Sequence, residues 1–203
     1  MEVPGGYNNK TFVMMSEILG TMFVMIAVNW GATSDATPQC VGLMVFMLIQ
    51  IFGQVSGGHF NPAVTLAVLF KEGSANWMRN FTFTIMIFIW QAIGGALGCA
   101  VCSMGFKWEK NSDAKKLTES GYHVAQLCPS GGCNDGGDLI VKVLFCETVC
   151  TFLFVSFILM VTKYNGSPDM PINALAIGIA LYFSITMASG ISGGCINPAV
   201  GLY

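Results

Sequence analysis

The chain has 203 residues, of which 54% are hydrophobic and only 10% charged, with a formal net charge of −2. A soluble domain carries about a quarter charged residues, so an ordinary soluble fold is excluded. No basic patch of the kind that binds nucleic acid is present, so nucleic acid is not an expected partner.

The apolar residues gather into runs at Thr11–Trp30, Val41–Val55, Phe81–Cys102, Leu139–Val161 and Ile172–Ile191. The hydrocarbon core of a bilayer takes about 20 helical residues, so each run is predicted to span a membrane. A short polar lead, Met1–Lys10, precedes the first run, which has no cleavage pattern and reads as a helix that stays. A brief loop around Asp35 and Pro38 leads to the second run, which ends in Ser56-Gly57-Gly58-His59-Phe60-Asn61-Pro62-Ala63-Val64. The apolar stretch Ala63–Phe70 follows, and Lys71-Glu72-Gly73-Ser74 stops it. At 1.5 Å per residue a helix of about ten residues covers half a bilayer, so this segment is expected to enter and leave on one side as a re-entrant loop.

The third run contains Gly94-Gly95-Ala96-Leu97-Gly98, a pattern suited to close helix contact in lipid. Ser103–Asp138 is a hydrophilic loop, too poor in apolar residues for a second domain. Within it Cys128 and Cys133 bracket Pro-Ser-Gly-Gly. A disulfide staple and two free thiols are both consistent with that spacing. Cys99, Cys102, Cys146 and Cys150 fall inside apolar runs and read as small core residues. No metal or cofactor is expected, and no nucleophile–base pair suggests an enzyme.

The second half repeats the first. Glu17-x-x-x-Thr21 matches Glu147-x-x-x-Thr151, and Gly42 and Gly178 each stand nineteen residues before the Asn of a shared motif (61 − 42 and 197 − 178). That motif returns as Ser192-Gly193-Gly194-Cys195-Ile196-Asn197-Pro198-Ala199-Val200. Three spans per half make the halves insert with opposite orientation, an inverted repeat. The expected organisation is a single domain over 1–203: a first repeat at about 1–102, a loop at 103–138 and a second repeat at 139–203. The second short helix has barely begun at Tyr203, so the expectation is a fragment of a longer protein whose sixth span lies outside it. Lys10, Lys71, Arg79 and Lys163 share one side of this arrangement, and Lys107, Lys110, Lys115 and Lys116 the other. Counted over short loops the first side is cytoplasmic, while the four lysines of the long loop argue the other way, so charge alone does not settle the orientation. The Asn-x-Ser/Thr sequons at Asn9, Asn80 and Asn165 fall on the first side and are not expected to be glycosylated.

Asn-Pro at a helix start has a local explanation. Asn is a favoured N-cap, and Pro suits the first helical position because its missing N–H would be unpaired anyway. A single Asn-Pro-Ala would signify no more than that. Two copies, Asn61-Pro62-Ala63 and Asn197-Pro198-Ala199, each after Ser-Gly-Gly and a membrane-length run, point to a pair of half-helices facing one another. With the Asn oxygen tied to its own helix, the NH₂ remains as a donor toward the opening. Two such donors on two positive helix ends would orient a water oxygen and oppose cations.

This pattern resembles the aquaporin, or major intrinsic protein, family. Ser16–Thr21, Ser56–Thr65, Gln91, Glu147 and Asn197 carry the resemblance, which covers essentially the whole chain. It implies an all-α, six-helix, hourglass-shaped pore per subunit and a homotetramer in the bilayer. It implies that backbone carbonyls of Gly57, Gly58, His59 and Phe60, and of Gly193, Gly194, Cys195 and Ile196, line the path. By the same analogy Glu17 and Glu147 each tie down a loop, a reading favoured over a proton relay because one isolated carboxylate per half makes no relay. His59 reads as a fixed, hydrogen-bonded histidine, with a pH gate as the sharper alternative.

At the narrow filter the sequence departs from orthodox water channels of the family. Counting from the motifs puts Val41 at the aromatic position, Ile185 at the His position, Gly194 at the loop position and Val200 where an Arg is usual. This set partly resembles plant tonoplast intrinsic proteins. The glycerol-conducting branch usually keeps that Arg and follows it with Asp, whereas Gly201-Leu202 follows here. The resulting expectation is a passive channel for water and small neutral solutes such as ammonia, urea or hydrogen peroxide, in a plasma or vacuolar membrane. The alternatives are a glycerol-type facilitator and a non-conducting structural or adhesion protein on the same fold.

Overall fold

The structure, a computed structural model, describes residues 10–31, 36–73, 76–108, 136–166 and 170–203. Its helices are α1 (Lys10–Gly31), α2 (Thr37–Ser56), α3 (Pro62–Lys71), α4 (Trp77–Trp108), α5 (Gly136–Tyr164), α6 (Pro171–Ser189) and α7 (Pro198–Gly201). No strand occurs among the described residues. Five of the helices, all but α3 and α7, are long and apolar enough to cross a bilayer. Cys128 and Cys133, most of the hydrophilic loop and three of its lysines lie outside the described residues.

The exterior, unlike that of a soluble protein, is apolar. Large apolar side chains face outward, among them Leu43, Ile51, Phe145 and Phe152, each more than half exposed. Glu17, Thr21, Thr65, Gln91 and Asn173 are buried. In water such an apolar exterior would aggregate, while in lipid it is matched by its solvent and the polar groups must find partners inside. The chain is a multi-pass integral membrane protein.

Helix packing follows the repeat. α1 lies on α2 and α4, α6 on α2 and α5, and the short α3 bridges α4 and α5. The equivalent helices α2 and α6 cross where Gly42 meets Gly178. A Cβ on Gly42 would fall 2.6 Å from the Gly178 carbonyl oxygen, so only glycine permits this approach. A Cβ on Gly94 would likewise strike the Ile18 carbonyl, which seats α4 on α1. The Gly-x-x-x-Gly reading of the third run is thus met by a real helix contact.

Four of the spanning helices extend past their apolar runs, while α6 stops at Ser189, two residues short of the expected end at Ile191. α4 begins at Trp77, four residues ahead of the expected start, because Trp77 bridges the end of α3 to the next turn of α4. Its ring lies 6.1 Å from Phe70 and 6.3 Å from Phe81. Arg79 ended the run on hydropathy alone, yet a helix at a membrane interface tolerates a charge flanked by aromatics. Asn80 is buried within this first turn, and Cys102, Cys146 and Cys150 are buried free thiols, as expected of core residues.

Candidate functional site: two loops clasped at the centre

The two Ser-Gly-Gly loops adopt the same backbone. Gly57 and Gly193 have φ of 87° and 89°, Gly58 and Gly194 have 67° and 71°, and Phe60 and Ile196 have 48° and 52°. Left-handed backbone suits the glycines but costs about 1–3 kcal/mol at a residue with a side chain. Phe60 and Ile196 hold it because each is fixed from several directions at once.

One fixing group is a carboxylate. Glu17 of α1, fully buried, accepts from the backbone N–H of His59 at 3.1 Å and of Phe60 at 2.8 Å. Glu147 of α5 accepts from Cys195 at 3.0 Å and Ile196 at 2.8 Å. Each carboxylate thus accepts from two successive backbone N–H groups of one loop. The first carboxylate has a further donor, the Gln91 side-chain amide of α4, at 2.8 Å. The second has the Ser192 hydroxyl. Packing fixes Phe60 as well: its ring covers Gly20, and a Cβ there would overlap it. At the positions equivalent to Gly20 and Phe60 stand Cys150 and Ile196, so a larger and a smaller residue are exchanged between the halves.

Next come the capping asparagines. Asn61 Oδ1 accepts from Ala63 N at 2.8 Å, and Asn197 Oδ1 from Ala199 N at 3.0 Å, so both are N-caps. Pro62 and Pro198 take the first helical positions. Each amide nitrogen then reaches across to the other loop. Asn61 Nδ2 donates to the Ile196 carbonyl at 2.9 Å, and Asn197 Nδ2 to the Phe60 carbonyl at 2.9 Å. This clasp alters the reading of the motif. One hydrogen of each NH₂ is spent between the loops and one remains. The carbonyls of Phe60 and Ile196, expected to line a path, already have protein partners, and both residues are 1% exposed.

The expected filter residues are all part of the packed interior. Val41, Ile185 and Val200 belong to a single buried apolar cluster. Gly194 lies against Ile185, such that a Cβ would sit 2.6 Å from the Ile185 carbonyl oxygen. His59 is on the other loop, its Nδ1 3.2 Å from the Thr65 hydroxyl. Gln91 Nε2 reaches that hydroxyl at 3.0 Å, and Thr65 in turn donates to the Asn61 carbonyl at 3.1 Å. Sequence reading missed Thr65. Its signal was a hydroxyl four residues after a helix cap, where it can bond back to the cap carbonyl. In the second half Gly201 takes that place, and the Cys195 thiol contacts the Asn197 carbonyl directly at 3.1 Å.

Paired half-helix starts, clasped between membrane-spanning helices that repeat in sequence, define a membrane protein of the discontinuous-helix type. The family model of the major intrinsic proteins matches residues 8–203. Aquaporin Z of Photorhabdus laumondii is 30% identical over 96% of this chain and 74% of its own length. A glycerol uptake facilitator-like protein of Lactiplantibacillus plantarum is 30% identical over 91% of this chain and 79% of its own. Aquaporin-8 of Rattus norvegicus is 29% identical over 78% of this chain, a match that spans 53% of that relative. The chain belongs to the major intrinsic protein family. It spans about half the length of the mammalian relatives it matches.

Proposed function

We propose that this chain builds a passive transmembrane channel for water and small neutral solutes. The observation that carries the reading is the reciprocal Asn–carbonyl clasp, which sets two amide donors side by side at the meeting of two capped helix starts. The remaining hydrogen on each Asn faces a molecule that brings an acceptor oxygen. A water held by both donors has its own hydrogens directed outward, so a proton-conducting chain of waters reverses there. Partial positive charge at the helix starts adds a barrier to cations.

Selectivity in this reading rests with Val41, Ile185, Gly194 and Val200. Their side chains carry no hydrogen-bond donor and no charge, so the constriction sorts by size and by the cost of removing water. Water, ammonia, urea and hydrogen peroxide are the proposed solutes. The carbonyls of Gly57, Gly58, His59, Gly193 and Cys195 are the proposed acceptors along the path, and Glu17 and Glu147 the anchors that aim them. The reading includes a homotetramer in the bilayer and involves no covalent step. Vesicles carrying the complete protein should shrink rapidly under an osmotic gradient and should admit urea. Vesicles that shrink no faster than protein-free ones would leave a structural protein on a channel fold as the better account.

A further inference from the structure

Three groups meet around the Thr65 hydroxyl, and counting donors and acceptors favours one placement of the protons among them. Gln91 Nε2 lies 2.8 Å from a Glu17 carboxylate oxygen, which fixes the amide orientation, because the amide oxygen in that place would face another acceptor. Nε2 gives its second hydrogen to Thr65 Oγ1 at 3.0 Å. The Asn61 carbonyl lies 3.1 Å from the same Oγ1 and also takes the Thr65 backbone N–H at 3.0 Å, so the single hydroxyl hydrogen has two acceptors in reach, that carbonyl and an unprotonated His59 Nδ1. Thr65 Oγ1 then has one lone pair left, and the nitrogen facing it at 3.2 Å is His59 Nδ1. With Nδ1 as the donor every contact around the hydroxyl is a hydrogen bond, whereas with Nδ1 bare the one hydroxyl hydrogen serves only one of its two acceptors.

We propose that Thr65 is a positioning residue. Oriented by Gln91, it holds His59 as the Nδ1-protonated tautomer and leaves the Nε2 lone pair as an acceptor for the permeating molecule. Nε2 has no protein hydrogen-bond partner among the described residues, and His59 is half-buried. It lies over Gly57, where a Cβ would sit 3.1 Å away, so a larger residue there would crowd the lone pair. The charged groups facing the ring are Glu17 of α1 and Glu72 at the end of α3. The ligand is a small neutral molecule with an N–H or O–H to give. The device is one-sided: Gly201 offers no hydroxyl, and the Cys195 thiol is turned onto the Asn197 carbonyl. One loop therefore presents a side-chain acceptor and the other does not.

The solute half of this inference rests on the channel reading, while the tautomer does not, and the test separates them. The chain has two histidines, His59 and His123, so nitrogen NMR of protein labelled only at histidine is readable. A His123→Gln variant identifies the His59 signals. The wild-type spectrum should show a protonated Nδ1 and a bare Nε2. Thr65→Val should move His59 toward the other tautomer and lower water flux in proteoliposomes about fivefold, the factor one ordinary hydrogen bond is worth. Thr65→Ser should restore both. A protonated Nε2 in the wild type, or a His59 spectrum unchanged by Thr65→Val, overturns the proposal. The assigned tautomer in a wild-type protein that passes no water overturns the solute half together with the channel reading, and leaves the positioning by Thr65 standing.

Discussion

Asn61 and Asn197 each make two bonds of different kind, and two substitutions tell them apart. Asn61→Ala removes both the cap to Ala63 and the reach to Ile196. The cap is worth about 1 kcal/mol, and the orphaned carbonyl costs about 1–3 kcal/mol more. Asn61→Asp keeps an acceptor for the cap but loses the donor and adds a negative charge at the clasp. Thermal unfolding in detergent should rank wild type above Asp and Asp above Ala. Cation leak into proteoliposomes should rank Asp highest, because its charge opposes the barrier of the helix start. The same order is expected at Asn197. If both variants match wild type in melting and in leak, the clasp is not the device that excludes cations.

Each loop is held by a different helix, α1 for the first and α5 for the second, so the elements can be loosened one at a time. In Glu17→Gln an amide hydrogen would face one of the three N–H donors now bonded to the carboxylate. Hydrogen bonds to a charged group are worth about 1.5–3 kcal/mol, and at least one is lost. The expected protein is folded, about 2–3 kcal/mol less stable and slower to pass water. Glu147→Gln should act similarly through the second loop. Wild-type stability in both variants would show that the loops stand without their anchors. Gly42→Val addresses the α2–α6 crossing instead. The new side chain would drive into the Gly178 backbone, and overpacking of this kind costs about 1–3 kcal/mol. Because this crossing joins the two halves, its signature should be lost folded yield rather than altered selectivity.

The whole molecule was legible to different depths at different distances along the chain. All five spanning helices and the half-helix α3 could be read from apolar runs and breakers, because a bilayer imposes one length on every span. Capping was legible for the same local reason: Asn and Pro act on their own helix. What escaped was how the two facing half-helices bond to each other. The clasp joins residues 135 and 137 positions apart, and no periodicity reports such a pairing. Gln91 was read only as part of the family resemblance, and its two partners on α1 and α3 appear only when three helices pack. The proposed filter depends most on the assembled molecule, since Val41, Ile185, Gly194 and Val200 come from α2, α6, the second loop and α7. Val200→Arg tests it. The substitution adds bulk, fixed positive charge and donors to a site otherwise lined by apolar groups. Water can exchange its hydrogen bonds for those donors, but urea is larger and meets the narrowed opening. A barrier raised by about 1.4 kcal/mol lowers flux about tenfold, and that loss should fall on urea and ammonia before water. Adding Ile185→His should deepen the bias by narrowing the opposite wall. Solute-by-solute flux in proteoliposomes reads the outcome. Equal loss of every solute would mean that Arg merely plugs the path, and a wild-type protein that passes water but rejects urea, ammonia and peroxide would place the filter elsewhere.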